Sequence, residues 1–144
     1  MQPPAIDPAL GLALVTGASG FVGSRLVQRL RAAGRPVRAL SRSAMPALAD
    51  AGAEVVRADV TDADAVARAC RGAETVYPVA AKVGIWGRAP DFERPNIDGT
   101  RLVIDASLCA GVRRLVFNSW PHVVFNDADL AVSDVSLPLG TAFP

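Results

Sequence analysis

Nine residues, Val15-Thr16-Gly17-Ala18-Ser19-Gly20-Phe21-Val22-Gly23, constrain this 144-residue chain more than any other stretch. An apolar run, Leu10 to Val15, enters it and a helical pattern leaves it. Its three glycines stand where a strand must turn sharply into a helix. Gly17 permits the tight turn, Gly20 leaves no Cβ in the way of a ligand, and Gly23 lets the helix pack closely. The first N–H groups of a helix have no partner inside it, so here they point at any anion above the turn. A glycine triplet alone is a weak signal. The strand before it and the helix after it give it weight.

The rest of the chain repeats that alternation. Met1 to Pro8 carries three prolines and reads as part of a flexible leader, residues 1–9. Leu10–Thr16 reads as a strand buried on both faces. Phe21, Val22, Leu26, Val27 and Leu30 then mark the apolar face of a helix that Gly34 ends. Pro36–Leu40 is the second strand, and Ser43–Ala51 a short helix with Pro46 in its first turn and Gly52 after it. A third strand, Ala53–Ala58, precedes a helix over Asp62–Cys70, with Thr61 as N-cap and Asp64 completing a capping box. Glu74–Ala80 is the fourth strand and Ala81–Arg94 a long loop. Pro95 opens a helix showing Ile97, Val103, Ile104, Ser107 and Leu108 on one side, closed by Gly111. Arg113–Ser119 is the fifth strand, and Trp120–Pro144 shows no sustained period.

Strands separated by helices must run parallel, with helices covering both faces. The fold class is therefore α/β: a Rossmann-type doubly wound parallel sheet of about five strands in three αβα layers, spanning residues 10–144. In such a sheet the ligand crevice lies at the carboxyl ends of the strands, where strand order reverses beside the first strand. The glycine turn falls there. Its natural anion is a dinucleotide pyrophosphate.

Composition removes other classes. A net charge of +1 offers nothing to nucleic acid or an anionic membrane surface. Cys70 and Cys109 lie in helical patterns and His122 stands alone, so no metal spacing exists. The first residues lack the basic-then-apolar order of a signal peptide, and no apolar run approaches the roughly 18 residues of a membrane span. A cytoplasmic protein is the expectation.

Five ordered motifs resemble the extended short-chain dehydrogenase/reductase family, including its NAD-dependent epimerase/dehydratase and 3β-hydroxysteroid dehydrogenase-like branches. They are Thr16–Gly23, Ala58-Asp59-Val60-Thr61-Asp62, Ala80-Ala81-Lys82-Val83, Asn96-Ile97-Asp98-Gly99-Thr100 and Gly111–Phe117. The resemblance covers the amino-terminal half of a typical member. It implies that Gly17, Ser19, Gly20 and Gly23 form the pyrophosphate cradle, with N–H groups from Phe21 and Val22. It implies further that Asp59 and Val60 meet the adenine, that Ala80 and Ala81 line the ribose, and that Asn96 orients groups near the nicotinamide. A loop or capping carboxylate is the other reading of Asp59, and a first-turn side chain that of Asn96. An NAD enzyme usually carries an acidic residue at the end of the second strand to bind the ribose 2′-hydroxyl. This chain has Leu40-Ser41-Arg42 there, and Arg42 suits a 2′-phosphate. NADP is favoured over NAD.

The catalytic end departs from the pattern. The family's chemistry uses a Tyr acid/base with a Lys four residues later. Tyr77 and Lys82 are the chain's single Tyr and single Lys, and they stand five apart, with Tyr77 reading as a core aromatic. The pair is expected just past Pro144. Trp120 occupies the position of the family's catalytic Ser/Thr, leaving Ser119 as the neighbouring hydroxyl, and Pro78 replaces a common His. The expectation is a truncated NAD(P)-binding domain without a substrate domain, binding cofactor without turnover. In complete form it would be an oxidoreductase or epimerase/dehydratase acting by hydride transfer on a sugar nucleotide, a sterol or a related alcohol or ketone. The alternatives are a non-catalytic NAD(P) sensor or interaction module, or an inert fragment. A homodimer is compatible with each.

Overall fold

The computed structural model describes residues 11–84 and 86–119. The leader 1–9, His122, Trp120 and the stretch to Pro144 lie outside those residues. The elements are β1 (Ala13–Thr16), α1 (Phe21–Ala32), β2 (Val37–Ser41), α2 (Pro46–Asp50), β3 (Glu54–Arg57), α3 (Ala63–Cys70), β4 (Thr75–Tyr77), α4 (Ala89–Glu93), α5 (Gly99–Cys109) and β5 (Arg114–Leu115). A single π-helical turn, Arg94–Asp98, joins α4 to α5. The strands form one parallel sheet in the order β3-β2-β1-β4-β5. The chain steps outward from β1 to β3, then returns to β4 on the other side of β1. Strand order thus reverses between β1 and β4, which puts helices on both faces of the sheet.

The period of two along the strands builds both layers. Ala13, Val15, Val37 and Ala39 face one way and pack with Val27 and Leu30 of α1 and Leu48 of α2. Leu14, Leu40 and Val76 face the other way, against Val66, Ala69 and Cys70 of α3 and Val103 of α5. Each such aliphatic side chain contributes roughly 1.5–3 kcal/mol when fully buried.

Several elements differ from the sequence expectation. Phe21 and Val22 begin α1 but are 84% and 52% exposed, because α1 meets the sheet only from Gly23 onward. The N-cap of α3 is Asp62, whose carboxylate accepts from Ala65 N–H at 3.0 Å; Thr61 turns back to Asp59 instead. The long loop contains α4, and the Pro95 helix opens as the π turn. Small residues, Gly99 and Ser107 with Val103 between them, form the buried face of α5, while Ile97, Ile104 and Leu108 are exposed. The reason is close approach: a Cβ on Gly99 would lie 2.8 Å from Val60 Cγ1. The fourth and fifth strands shorten to Thr75–Tyr77 and Arg114–Leu115.

At the amino-terminal edge of the sheet lies a side chain that the sequence does not mark as special. Arg35 is 1% exposed. Its Nε donates to Gly11 O at 2.9 Å, Nη2 to Thr75 Oγ1 at 2.7 Å and Nη1 to Tyr77 Oη at 3.4 Å. Tyr77 is half-buried and packs against the α1-side core. Arg35 therefore ties the segment before β1 to β4, at the end of the sheet opposite the glycine turn.

Candidate functional site

The turn after β1 is built as the glycines demand. Gly17 has φ +62, the left-handed region, and a Cβ there would stand 2.6 Å from Ala80 Cα and 2.7 Å from Ala80 N. Gly17 therefore satisfies two constraints, a backbone angle and a contact with the chain leaving β4. Gly23 is needed because α1 packs on the turn itself: its Cβ would fall 2.9 Å from Ala18 Cα. Gly20 differs from both. A Cβ on it would meet only Gly17 O, at 3.2 Å, and face open space otherwise.

Gly20 caps α1 with no side-chain hydrogen bond, and no acidic residue occupies the first turn. Among the described residues no side-chain acceptor covers the positive end of the helix. Ser19, Gly20, Phe21 and Val22 are all exposed around it. An anion seated over the turn would meet bare N–H groups, with Phe21 and Val22 as apolar flanks.

The ends of β2 and β3 supply a polar corner. Ser19 Oγ and Ser41 Oγ are 2.6 Å apart, and Ser43 N–H donates to Ser41 Oγ at 3.3 Å. Arg42 projects beside them with its side chain 77% exposed, and Arg57 Nε donates to Arg42 O at 3.0 Å. Asp59 Oδ1 accepts from Thr61 N–H and Thr61 Oγ1, both at 2.9 Å, while Oδ2 lies 3.8 Å from Arg42 Nη1. The Thr61 backbone hydrogen bond is the main force holding the Asp59 carboxyl below its usual range; desolvation opposes it, and the Thr61 hydroxyl, Arg42 and Arg94 assist. Asp59 is thus an ionised turn-former with one oxygen committed to the loop. Val60, beside it, is 8% exposed and packs on Gly99 of α5.

The end of β4 completes the crevice. Thr16 Oγ1 accepts the N–H groups of Val79 and Ala80, each at 3.1 Å. Ala80 is half-buried against Gly17 and Ala81 is exposed. Asn96 holds the next residue from two sides: its Oδ1 accepts from Lys82 N–H at 2.7 Å and its Nδ2 donates to Lys82 O at 3.0 Å. A cavity of about 150 Å³ opens here, lined by Ala80, Ala81, Asn96, Thr100, Phe117 and Asn118 among others. Ser119 is exposed beyond β5.

The fold therefore gathers Gly17, Ser19, Gly20, Phe21, Val22, Arg42, Asp59, Ala80, Ala81 and Asn96 along the carboxyl edge, with Gly23 and Val60 as packing beneath it. Sequence reasoning missed the Thr16 hydroxyl, the Ser19–Ser41 pair and the grip of Asn96 on Lys82. A threonine ending an apolar strand was the available hint for the first. Nothing in the sequence announced the other two, because each joins segments well apart in the chain. Among the described residues no cluster of three His, Cys, Asp or Glu side chains exists to hold a metal. Cys70 is buried beside Ser107, and desolvation pushes its thiol up.

Residues 14–136 match the 3-beta hydroxysteroid dehydrogenase/isomerase family. The chain belongs to that family. The extended short-chain dehydrogenase/reductase character of the five motifs is confirmed by the same match. A 2-alkyl-3-oxoalkanoate reductase of Shewanella oneidensis is 35% identical over 131 residues, covering 91% of this chain and 34% of the relative. A 3-beta-hydroxysteroid dehydrogenase of Mycolicibacterium neoaurum is 35% identical over 150 residues, covering 99% of this chain and 41% of the relative. Among solved structures, a short-chain dehydrogenase/reductase superfamily protein from Agrobacterium tumefaciens with bound NAD superposes with a TM-score of 0.78 at 32% identity, over 90% of this chain and 39% of that one. The chain thus spans about a third to two-fifths of the length of these family members. No helix among the described residues is long and apolar enough to cross a membrane.

Proposed function

We propose that this chain binds a nicotinamide dinucleotide along the carboxyl edge of its sheet, with NADP preferred to NAD. The observation that carries the reading is the uncovered amino end of α1, set over a turn whose Gly17 touches Ala80. The pyrophosphate lies over Gly17, Ser19 and Gly20 and takes N–H groups from Phe21 and Val22. Asp59 offers Oδ2 toward the adenine amine, and Ala80 and Ala81 leave room for the nicotinamide ribose. The family match and the NAD held by the solved relatives support a dinucleotide as occupant. For NADP the support is the corner at the end of β2. It presents two serine hydroxyls and the Arg42 guanidinium, whose neighbouring carboxylate, Asp59, lies 3.8 Å away on the side of β3, and Ser41-Arg42-Ser43 itself carries no acidic residue.

Bound dinucleotide supplies a hydride acceptor or donor for a secondary alcohol or ketone, and that reaction class is our reading of the full-length protein. The relatives whose names specify oxoalkanoates and 3β-hydroxysteroids are alike in that chemistry. Within these 144 residues no Tyr stands four before a Lys, so binding without turnover is the expected behaviour. A cytoplasmic location goes with this reading. Titration with NADPH and NADH, followed by cofactor fluorescence, tests it. Arg42→Ala should cut NADPH affinity about tenfold or more and leave NADH nearly unchanged. Equal affinities that do not respond to Arg42→Ala would refute the NADP preference.

A further inference from the structure

We propose that Arg57, the last residue of β3, is a second specificity determinant for the 2′-phosphate of NADP. This rests on the NADP reading above and adds a residue to it. The parallel register sets Arg57 directly opposite Ser41, so the two side chains leave the same face of the sheet. On that face Ser41 Oγ meets Ser19 Oγ at 2.6 Å. The turn after β1, the end of β2 and the end of β3 thus contribute Ser19, Ser41 and Arg57 to one row, and Arg42 follows Ser41 directly.

The way Arg57 is held sets it apart from a solvated arginine at a strand end. Ala58 N–H donates to Ser41 O at 3.0 Å, and Arg57 Nε takes the following carbonyl, Arg42 O, also at 3.0 Å. The side chain thereby carries the β2–β3 ladder one step further and is turned over the end of β2. Among the described residues its two terminal nitrogens have no acceptor and no carboxylate pairs with it. Arg42 differs: its guanidinium is 77% exposed and has Asp59 Oδ2 at 3.8 Å. The Arg42–Asp59 pair is neutral as a whole, so Arg57 adds the net positive charge that the pair lacks. A phosphomonoester carries about −1.5 to −2 charges at pH 7 and calls for more than one guanidinium. Because one N–H of Arg57 is already committed to a carbonyl, less rotamer freedom is lost when an oxyanion arrives.

The test separates the charge of Arg57 from its hydrogen bond to Arg42 O. The 144-residue chain and its Arg57→Ala, Arg57→Gln and Arg57→Lys variants are titrated with two pairs of ligands. Adenosine 2′,5′-bisphosphate and adenosine 5′-monophosphate differ only in the 2′-phosphate, as do NADPH and NADH. Arg57→Gln keeps a side-chain donor without charge, and Arg57→Lys keeps the charge without Nε. Arg57→Ala and Arg57→Gln should bind the bisphosphate and NADPH about tenfold more weakly, and the other two ligands within about twofold of the parent chain. Arg57→Lys should stay within about threefold of the parent for all four. Equal losses with and without the 2′-phosphate would mark a structural role for the extra ladder step and overturn the proposal. Parent-like NADPH affinity in Arg57→Ala or Arg57→Gln overturns it too, as does an Arg57→Lys chain no better than Arg57→Ala. If Arg42→Ala removes the NADPH preference and Arg57→Ala does not, the NADP reading stands without Arg57. A parent chain that binds NADPH no more tightly than NADH defeats both.

Discussion

Thr16 Oγ1 accepts the backbone N–H of Ala80 at 3.1 Å, and this hydrogen bond crosses the point where strand order reverses. The β1–β4 register pairs Val15 with Tyr77, which sets Thr16 beside Pro78, a residue with no N–H to give. The ladder therefore stops at Tyr77, and the Thr16 hydroxyl satisfies the next two N–H groups, those of Val79 and Ala80. A proline in mid-sheet is tolerated here because a side chain takes over from the backbone.

Thr16 is 1% exposed, so removing its hydroxyl leaves two N–H groups facing a methyl. Thr16→Val should lower unfolding stability by about 1–3 kcal/mol, and Thr16→Ser should recover most of it. Urea unfolding monitored by circular dichroism measures both. Equal stability of Thr16→Val and the parent chain would show that water already serves these groups.

The glycines of the turn should separate fold from ligand. Gly17→Ala meets both a positive φ and the Ala80 backbone, and should cost more than about 2 kcal/mol or prevent folding. Gly20 has φ −76, which an L residue adopts freely, and its Cβ would face outward. Gly20→Ala should stay within about 1 kcal/mol of the parent chain yet weaken dinucleotide binding about tenfold or more. Thermal melts with and without NADPH read both quantities.

Arg35 offers a test of the opposite edge. Its replacement by Ala empties a buried volume and orphans Gly11 O and Thr75 Oγ1. A loss of about 2–4 kcal/mol is expected, with dinucleotide affinity of the remaining folded protein unchanged. Reduced affinity at full folding would mean that the two edges are coupled.

Asp59 predicts a pH dependence. Its carboxyl titrates below the usual aspartate range in the folded chain, held there first by the Thr61 backbone hydrogen bond, so its stabilising contribution is complete above the unfolded pKa. That contribution is lost as pH falls from the unfolded value through the folded one. Asp59→Asn should therefore melt lower than the parent chain near neutral pH, and the gap should close as pH falls below the carboxylate range. A gap independent of pH would assign the loss to amide packing and not to the carboxylate charge. The effect should be modest, because the side chain is 41% exposed.

The order of elements, the parallel sheet and the position of the glycine turn were legible in the chain, because each follows from local periodicity and from glycine's missing Cβ. Helix faces were less so. Ile97, Ile104 and Leu108 are more apolar than Gly99 and Ser107, yet the smaller residues are buried, since α5 approaches Val60 too closely for larger ones. Thr61 is as good a cap in isolation as Asp62; its hydroxyl was drawn off by Asp59. The end of β4 was misplaced because Pro78 has no N–H to continue the ladder and the Thr16 hydroxyl takes the next two N–H groups.

By itself the sequence determined a doubly wound sheet with a glycine turn at the head of α1, since alternating periods and glycine spacing act over a few residues. Tertiary structure alone decided what surrounds that turn. It joined Thr16 to Ala80, Ser19 to Ser41, and Asn96 to Lys82, bringing together groups separated by 64, 22 and 14 residues. Such pairings depend on register and crossover geometry. No local preference encodes them.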